Sequence, residues 1–128
     1  MKGNLDETGA AWLKVRVDSG AGEAKEVRAL IDTGATQSMI PQEMAGELEL
    51  AQRGKARVSS AHREGLAPVY YAFLTMPGLY ERTASFVEMK PPYDFIVIGR
   101  EILRKMRLNY DGPGGTFEIV AEEVIRSD

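Results

Sequence analysis

The chain has 128 residues, 16 Lys plus Arg against 19 Asp plus Glu, one His and no Cys, for a net charge of −3. A chain of this length buries roughly two thirds of its unfolded surface, which serves one core and leaves no room for two lobes. The acidic balance argues against nucleic acid as a partner, the lack of Cys excludes disulfides and thiol chemistry, and with a single His no transition-metal site is expected. The longest apolar run, Val69 to Leu74, is 6 residues, far short of the ~18 that span a bilayer. Met1 to Ala11 lacks the apolar stretch of a secretion signal, so a cytoplasmic protein without a membrane span is expected.

In chain order the sequence reads as short strands and turns. Residues 1–11 are expected as a tail. Leu13, Val15 and Val17 alternate with Lys14, Arg16 and Asp18, the period of a strand with one buried face. Ser19 to Gly22 suits a hairpin turn, and Lys25 to Ile31 returns with Val27, Ala29 and Ile31 on one side. Pro41 is suited to start a short helix through Met44, Ala45 and Leu48. Lys55 to Ala61 and Pro68 to Met76 predict two strands around a polar tip, His62 to Gly65, with Tyr71, Phe73 and Thr75 facing away from Ala72 and Leu74. Pro77-Gly78 closes that hairpin, Thr83 to Met89 is a further strand, Pro91-Pro92 breaks it, and Phe95 to Ile98 is a short buried strand. From Arg100 the pattern turns helical, with Ile102, Leu103 and Met106 on one face and Arg100, Arg104, Lys105 and Arg107 outside it. The turn Gly112 to Gly115 precedes a last strand, Thr116 to Val120, and residues 122–128 are expected as a second tail. Regularly spaced short strands and turns predict an all-β barrel or sandwich with one or two short helices.

The chemistry is concentrated in Ala29-Leu30-Ile31-Asp32-Thr33-Gly34-Ala35-Thr36-Gln37-Ser38. An acid directly after a buried strand sits at the edge of the core, still within reach of water. Thr33 adds a hydroxyl beside it, and Gly34 lets the backbone approach and donate its N–H. On its own Asp-Thr-Gly reads equally well as a turn. Further on, 67 residues beyond Asp32, Gly99 follows the apolar run Phe95-Ile96-Val97-Ile98 and precedes Arg100-Glu101-Ile102-Leu103. The two motifs together, in this order, resemble the retroviral-type (retropepsin-like) aspartic proteases, most closely the small free-standing bacterial and archaeal ones. The similarity runs from about Trp12 to Val120.

The resemblance implies a closed or partly closed acid-protease barrel over residues 12–121, with a flap hairpin at Ser59 to Pro68. It implies Asp32 as the catalytic acid, Thr33 as the hydroxyl that locks two loops across a subunit boundary, and Gly34 as the close-approach residue. Ala35, Thr36 and Gln37 would lie along the substrate backbone, joined by Ala61, His62 and Gly65 of the flap and by Ile98. Ile98 and Gly99 would pack beneath the loop, with Gly99 and Arg100 as its support, Gly99 because a side chain there would collide with it. Thr36 and Gln37 stand where retroviral enzymes carry acids, which leaves Arg100 without their carboxylate partner.

Hydrolysis by this route needs one carboxylate to take a proton from water and a second to give one to the carbonyl oxygen. Two such groups ~3 Å apart share a single proton. One Asp-Thr-Gly per chain therefore predicts a C2 homodimer with two Asp32 side chains on the axis. It predicts an endopeptidase acting on protein or peptide, with no metal or organic cofactor. The alternative is a silent peptide-binding or dimerisation module on the same fold. Asp94 and Glu101 read as solvated or capping acids, Arg104, Lys105 and Arg107 as a solvated helix side. His62 beside Ser59 and Ser60 lacks the nucleophile elbow of a serine hydrolase.

Overall fold

The fold is known from a computed structural model, which describes residues 1–59 and 64–127. Strand β1 is Lys2–Asn4, and the hairpin of β2 (Trp12–Asp18) and β3 (Ala24–Ile31) follows it. The predicted alternation holds, since Leu13, Val15, Val17, Val27, Ala29 and Ile31 are all buried while Lys14, Arg16, Glu26 and Arg28 face outward. A three-residue strand β4 (Met39–Pro41) leads into helix α1 (Gln42–Glu47), which lays Met44 and Ala45 on the core. Pro41 ends β4 as the N-cap, with extended backbone at ψ 141°, one position ahead of the first helical turn in which it was expected.

Strands β5 (Gln52–Ser59), β6 (Glu64–Met76) and β7 (Tyr80–Met89) form two successive antiparallel pairings. Along β6 the faces separate as predicted, with Ala72 and Leu74 buried and Tyr71 and Phe73 exposed. Strand β8 (Ile96–Ile98) is buried throughout. It runs parallel to β3, pairing Ala29 with Ile96, Leu30 with Val97 and Ile31 with Ile98. Parallel strands covered on both faces read as unbroken apolar runs, and Phe95 to Ile98 is one.

The order β2-β3-β8-β4-β7-β6, with β6 pairing back onto β2 through Val17 and Leu74, closes a six-stranded barrel. Closure leaves these six strands without free edges. Its interior is filled by side chains such as Phe86, Ile40, Leu74, Ile96 and Ile98, which are wholly buried and contribute roughly 1.5–3 kcal/mol each. Strand β5 lies outside the barrel, on β6, and forms the projecting hairpin. The predicted all-β barrel with short helices and a hairpin flap is the observed architecture.

Three segments differ from the sequence expectation. Helix α2 is a single turn, Arg100–Leu103. Once Ile102 and Leu103 have reached the core the chain reverses, and Arg107 opens strand β9 (Arg107–Asp111) instead of continuing a helical face. Strand β9 pairs with β10 (Thr116–Val120), and β10 pairs with β1, giving a separate three-stranded sheet. Residues 1–11, expected as a tail, thus contribute a strand. At the other end the Ile125 N–H donates to Leu79 O and Ile125 O accepts the Glu81 N–H, both at 2.9 Å, so this part of the second expected tail is also tied down. Among the described residues no helix is long and apolar enough to cross a membrane.

Candidate active site

Asp32 is the first residue beyond β3, and its own N–H continues the ladder to β8 by donating to Ile98 O at 3.0 Å. That bond fixes the backbone at the rim of the core while the side chain stays half-exposed. The chain turns at once: Ala35 N–H donates to Asp32 O at 3.2 Å, and Gly34 N–H donates to Asp32 Oδ1 at 2.9 Å. A Cβ at position 34 would lie 3.1 Å from that carboxylate oxygen, so Gly34 gives the closest approach of backbone donor to acid. Thr33 and Gly34 are exposed at the turn, and Thr36 with them.

The loop is held from below by the segment that starts at Gly99. A Cβ on Gly99 would lie 2.8 Å from Gln37 C and 2.9 Å from both Ala35 O and Gln37 O. These are backbone atoms, so only glycine fits. Arg100 N–H donates to Ala35 O at 2.9 Å. The Arg100 side chain reaches the same loop, with Nη1 donating to Thr33 O at 2.9 Å and Nη2 to Thr36 Oγ1 at 3.0 Å. In place of a carboxylate partner, Arg100 clamps two points of the Asp32 turn within its own chain. The planar fork makes both bonds possible, and Lys would keep only one of them.

Ser38, which the sequence did not single out, completes the brace. It is fully buried. Its Oγ accepts the Gly99 N–H at 2.9 Å, its carbonyl accepts the Val87 N–H at 2.9 Å, and its own N–H donates to the Glu101 carboxylate. Glu101, expected as a solvated or capping acid, caps this buried N–H. Ser38→Ala would leave the Gly99 N–H without a partner, a loss of about 1–3 kcal/mol; thermal unfolding of the variant checks it.

A second buried polar group lies near the root of the projecting hairpin. Glu88 of β7 is almost wholly buried, accepts the Tyr70 hydroxyl of β6 at 3.1 Å and pairs with Lys90 Nζ at 3.3 Å. Burial first, and then the neighbouring Glu88, raise the Tyr70 hydroxyl above the ordinary tyrosine pKa. The link fastens β6 to β7 just below the flap strands.

The remaining expected site residues divide. Ala35 and Gln37 are half-buried along the turn beside exposed Thr36. Gly65 pairs with Val58 near the end of the hairpin, and its φ of 122° lies where L side chains are strained. Ile98, expected to touch substrate, is fully buried in the core beneath the loop. Alternation along β8 turns Val97 to the other face, the one Leu30 shares. Ala61 and His62 lie outside the described residues. Among the described residues no group of three His, Asp or Glu side chains could hold a metal ion.

Residues 20–105 match the family described as "gag-polyprotein putative aspartyl protease". No curated protein matches the chain. The fold is similar to a retropepsin-like aspartic protease from Rickettsia conorii, at TM-score 0.63 and 11% identity, over 94% of this chain and 92% of that one. It is also similar to the retroviral protease-like domain of Ddi1 from Leishmania major, at TM-score 0.56 and 13% identity, over 91% and 92% of the two chains. A foamy viral protease-reverse transcriptase matches at TM-score 0.52 and 24% identity over 72% of this chain, which spans 15% of the viral one. In a second structure of a foamy viral protease-reverse transcriptase the share spanned is 11%.

Proposed function

The chain belongs to the gag-polyprotein aspartyl protease family, whose match covers residues 20–105, and on that premise we propose that it is an aspartic endopeptidase active as a homodimer. Two copies meeting about a two-fold axis bring two Asp32 carboxylates together, and the pair holds one proton between them. The ionised member takes a proton from a water molecule, whose oxygen attacks the peptide carbonyl carbon. The protonated member gives its proton to the carbonyl oxygen, forming a neutral gem-diol. Collapse of the gem-diol breaks the C–N bond, the amine leaves with a proton, and the shared proton is restored to the pair.

Each loop residue has a role in this reading. Gly34 N–H steadies the carboxylate, the Thr33 hydroxyl is free to meet the partner's loop, and Ala35, Thr36 and Gln37 offer backbone to an extended peptide as an added strand would. The β5–β6 hairpin covers that peptide. The observation that supports the reading most is the bonding of Asp32: a half-exposed carboxylate with Oδ1 on the Gly34 N–H, on a turn clamped from beneath by Gly99, Arg100 and Ser38. Incubation with a peptide library between about pH 4 and 6, beside an Asp32→Asn control, tests it. Cleavage by the native chain alone is expected; equal cleavage by both, or by neither, contradicts the proposal.

A further inference from the structure

The barrel closure has a gap along β7. Strand β4 pairs with β7 only over Val87 to Met89, where the Val87 N–H donates to Ser38 O at 2.9 Å. At the other end the Glu81 N–H donates to Ile125 O, also at 2.9 Å. Backbone groups alternate sides along a strand, so Thr83 and Ser85, between these two points, turn their N–H and C=O away from β6 and toward the gap. Among the described residues no hydrogen bond reaches either backbone from that side. Both residues are exposed, while Ala84 between them is buried. The stretch is an open sheet edge of the kind another strand pairs with.

In front of it runs a groove of about 210 Å³ between β7 and the turn that follows α2. Its charged lining is three cations, Arg82, Arg104 and Lys105, against one acid, Glu101, whose carboxylate accepts the Ser38 N–H. Arg104 and Lys105 are exposed, and among the described residues neither has an ion-pair partner. The C-terminal segment of the chain shows what this face accepts. It brings Glu122 and Glu123 to an adjoining groove, lined by the same Arg104 and Lys105 and by Arg107, and then bridges β7 in parallel at Tyr80. An acidic stretch is thus already seated beside these cations, and it takes up the β7 edge only through Ile125.

We propose that the Thr83–Ser85 edge is a docking site for an acidic, extended segment of a partner protein, which adds to β7 as a further strand and sets its carboxylates against Arg104 and Lys105. Main-chain bonds to Thr83 and Ser85 hold the segment, and the two cations select acids over bases. Edge-facing residues are about 6.6–7 Å apart and the opening from Glu81 to Val87 is about 20 Å long, so about six extended residues fill it. The site shares no residue with the Asp32 turn, and the inference does not rest on the peptidase reading.

The test uses a capped six-residue peptide of alternating Glu and Val, added to the full chain carrying Asp32→Asn so that the peptide stays whole. The Thr83 and Ser85 amide resonances are expected to shift saturably and their hydrogen exchange to slow by about ten-fold, while Glu81 and Val87, already bonded, change little. The same peptide with Lys in place of Glu binds about ten-fold more weakly, and adding Arg104→Glu and Lys105→Glu, both exposed positions, reverses that order. Of two peptides N-methylated at alternate amides, on Glu or on Val, only one binds, because a strand presents one set of amides to β7. Shifts confined to Ala35–Gln37 put the peptide in the cleft and overturn the proposal. Equal binding of the Glu and Lys peptides, or equal behaviour of the two N-methylated ones, overturns it as well. So does protection of the Thr83 and Ser85 amides in the protein alone that grows with its concentration, since a second copy then fills the edge.

Discussion

Replacing Asp32 by Asn is expected to lower peptide hydrolysis by about 10⁴-fold, the upper range for loss of a general acid–base group, with little change in the unfolding temperature. The amide matches the carboxylate in size, and its oxygen can still accept the Gly34 N–H that Asp32 Oδ1 accepts at 2.9 Å. What disappears is the group that takes a proton from water. Initial rates in mildly acidic buffer, read beside a thermal melt, separate chemistry from folding. A rate within about ten-fold of native with an unchanged melt would move the chemistry to another residue.

Gly99→Ala has the largest expected effect on the fold. The glycine has ordinary extended backbone, φ −97° and ψ −174°, so conformational freedom is not what selects it. The added methyl would meet the backbone at Ala35 and Gln37 at 2.8–2.9 Å, and those atoms cannot swing aside as a side-chain tip can. Relief requires the Asp32 turn to lift from β8, against the Asp32–Ile98 and Arg100–Ala35 bonds. A destabilisation of about 3 kcal/mol is expected, with a loss of activity beyond what the stability change accounts for at assay temperature. Gly46 of α1, around which nothing lies within 4 Å of an added Cβ, supplies the control: Gly46→Ala should be neutral or stabilising by about 0.5–1 kcal/mol. Equal melts for the two variants would contradict the steric account.

Much of the barrel could be read from the sequence because its strands carry their own signal. Leu13, Val15 and Val17 alternate, and Phe95 to Ile98 is continuously apolar, because each bears directly on the core. Strand β1, Lys-Gly-Asn, carries no such signal. It is a strand because its backbone pairs with β10, where Gly3 lies against the Phe117 ring. Strand β9 is an edge on which only Leu108 is half-buried, so it carries little signal of its own, and its first residue, Arg107, looked like the polar side of a longer helix. In β4 the three residues are fixed by the neighbouring β7 and β8.

The candidate site divides in the same way. Asp32, Gly34, Gly99 and Arg100 sit in two motifs, and the close contacts between them at 3.1 Å or less explain why small residues and a forked cation stand there. Ser38 escaped notice because a buried serine has no signature of its own; its role is visible only in the bond its Oγ accepts from the Gly99 N–H. Ile98 packs wholly buried beneath the loop, and strand alternation turns Val97 to the opposite face, where it is buried too.

The most direct test of a shared carboxylate pair is a mixing experiment. A fixed amount of native protein is equilibrated with increasing Asp32→Asn protein, and peptide cleavage is followed. If two Asp32 side chains from two chains form one centre, the variant draws native chains into dead heterodimers, and activity falls in proportion to the native fraction. Activity that stays constant under a large excess of the variant, with mixed dimers shown to form, would contradict it.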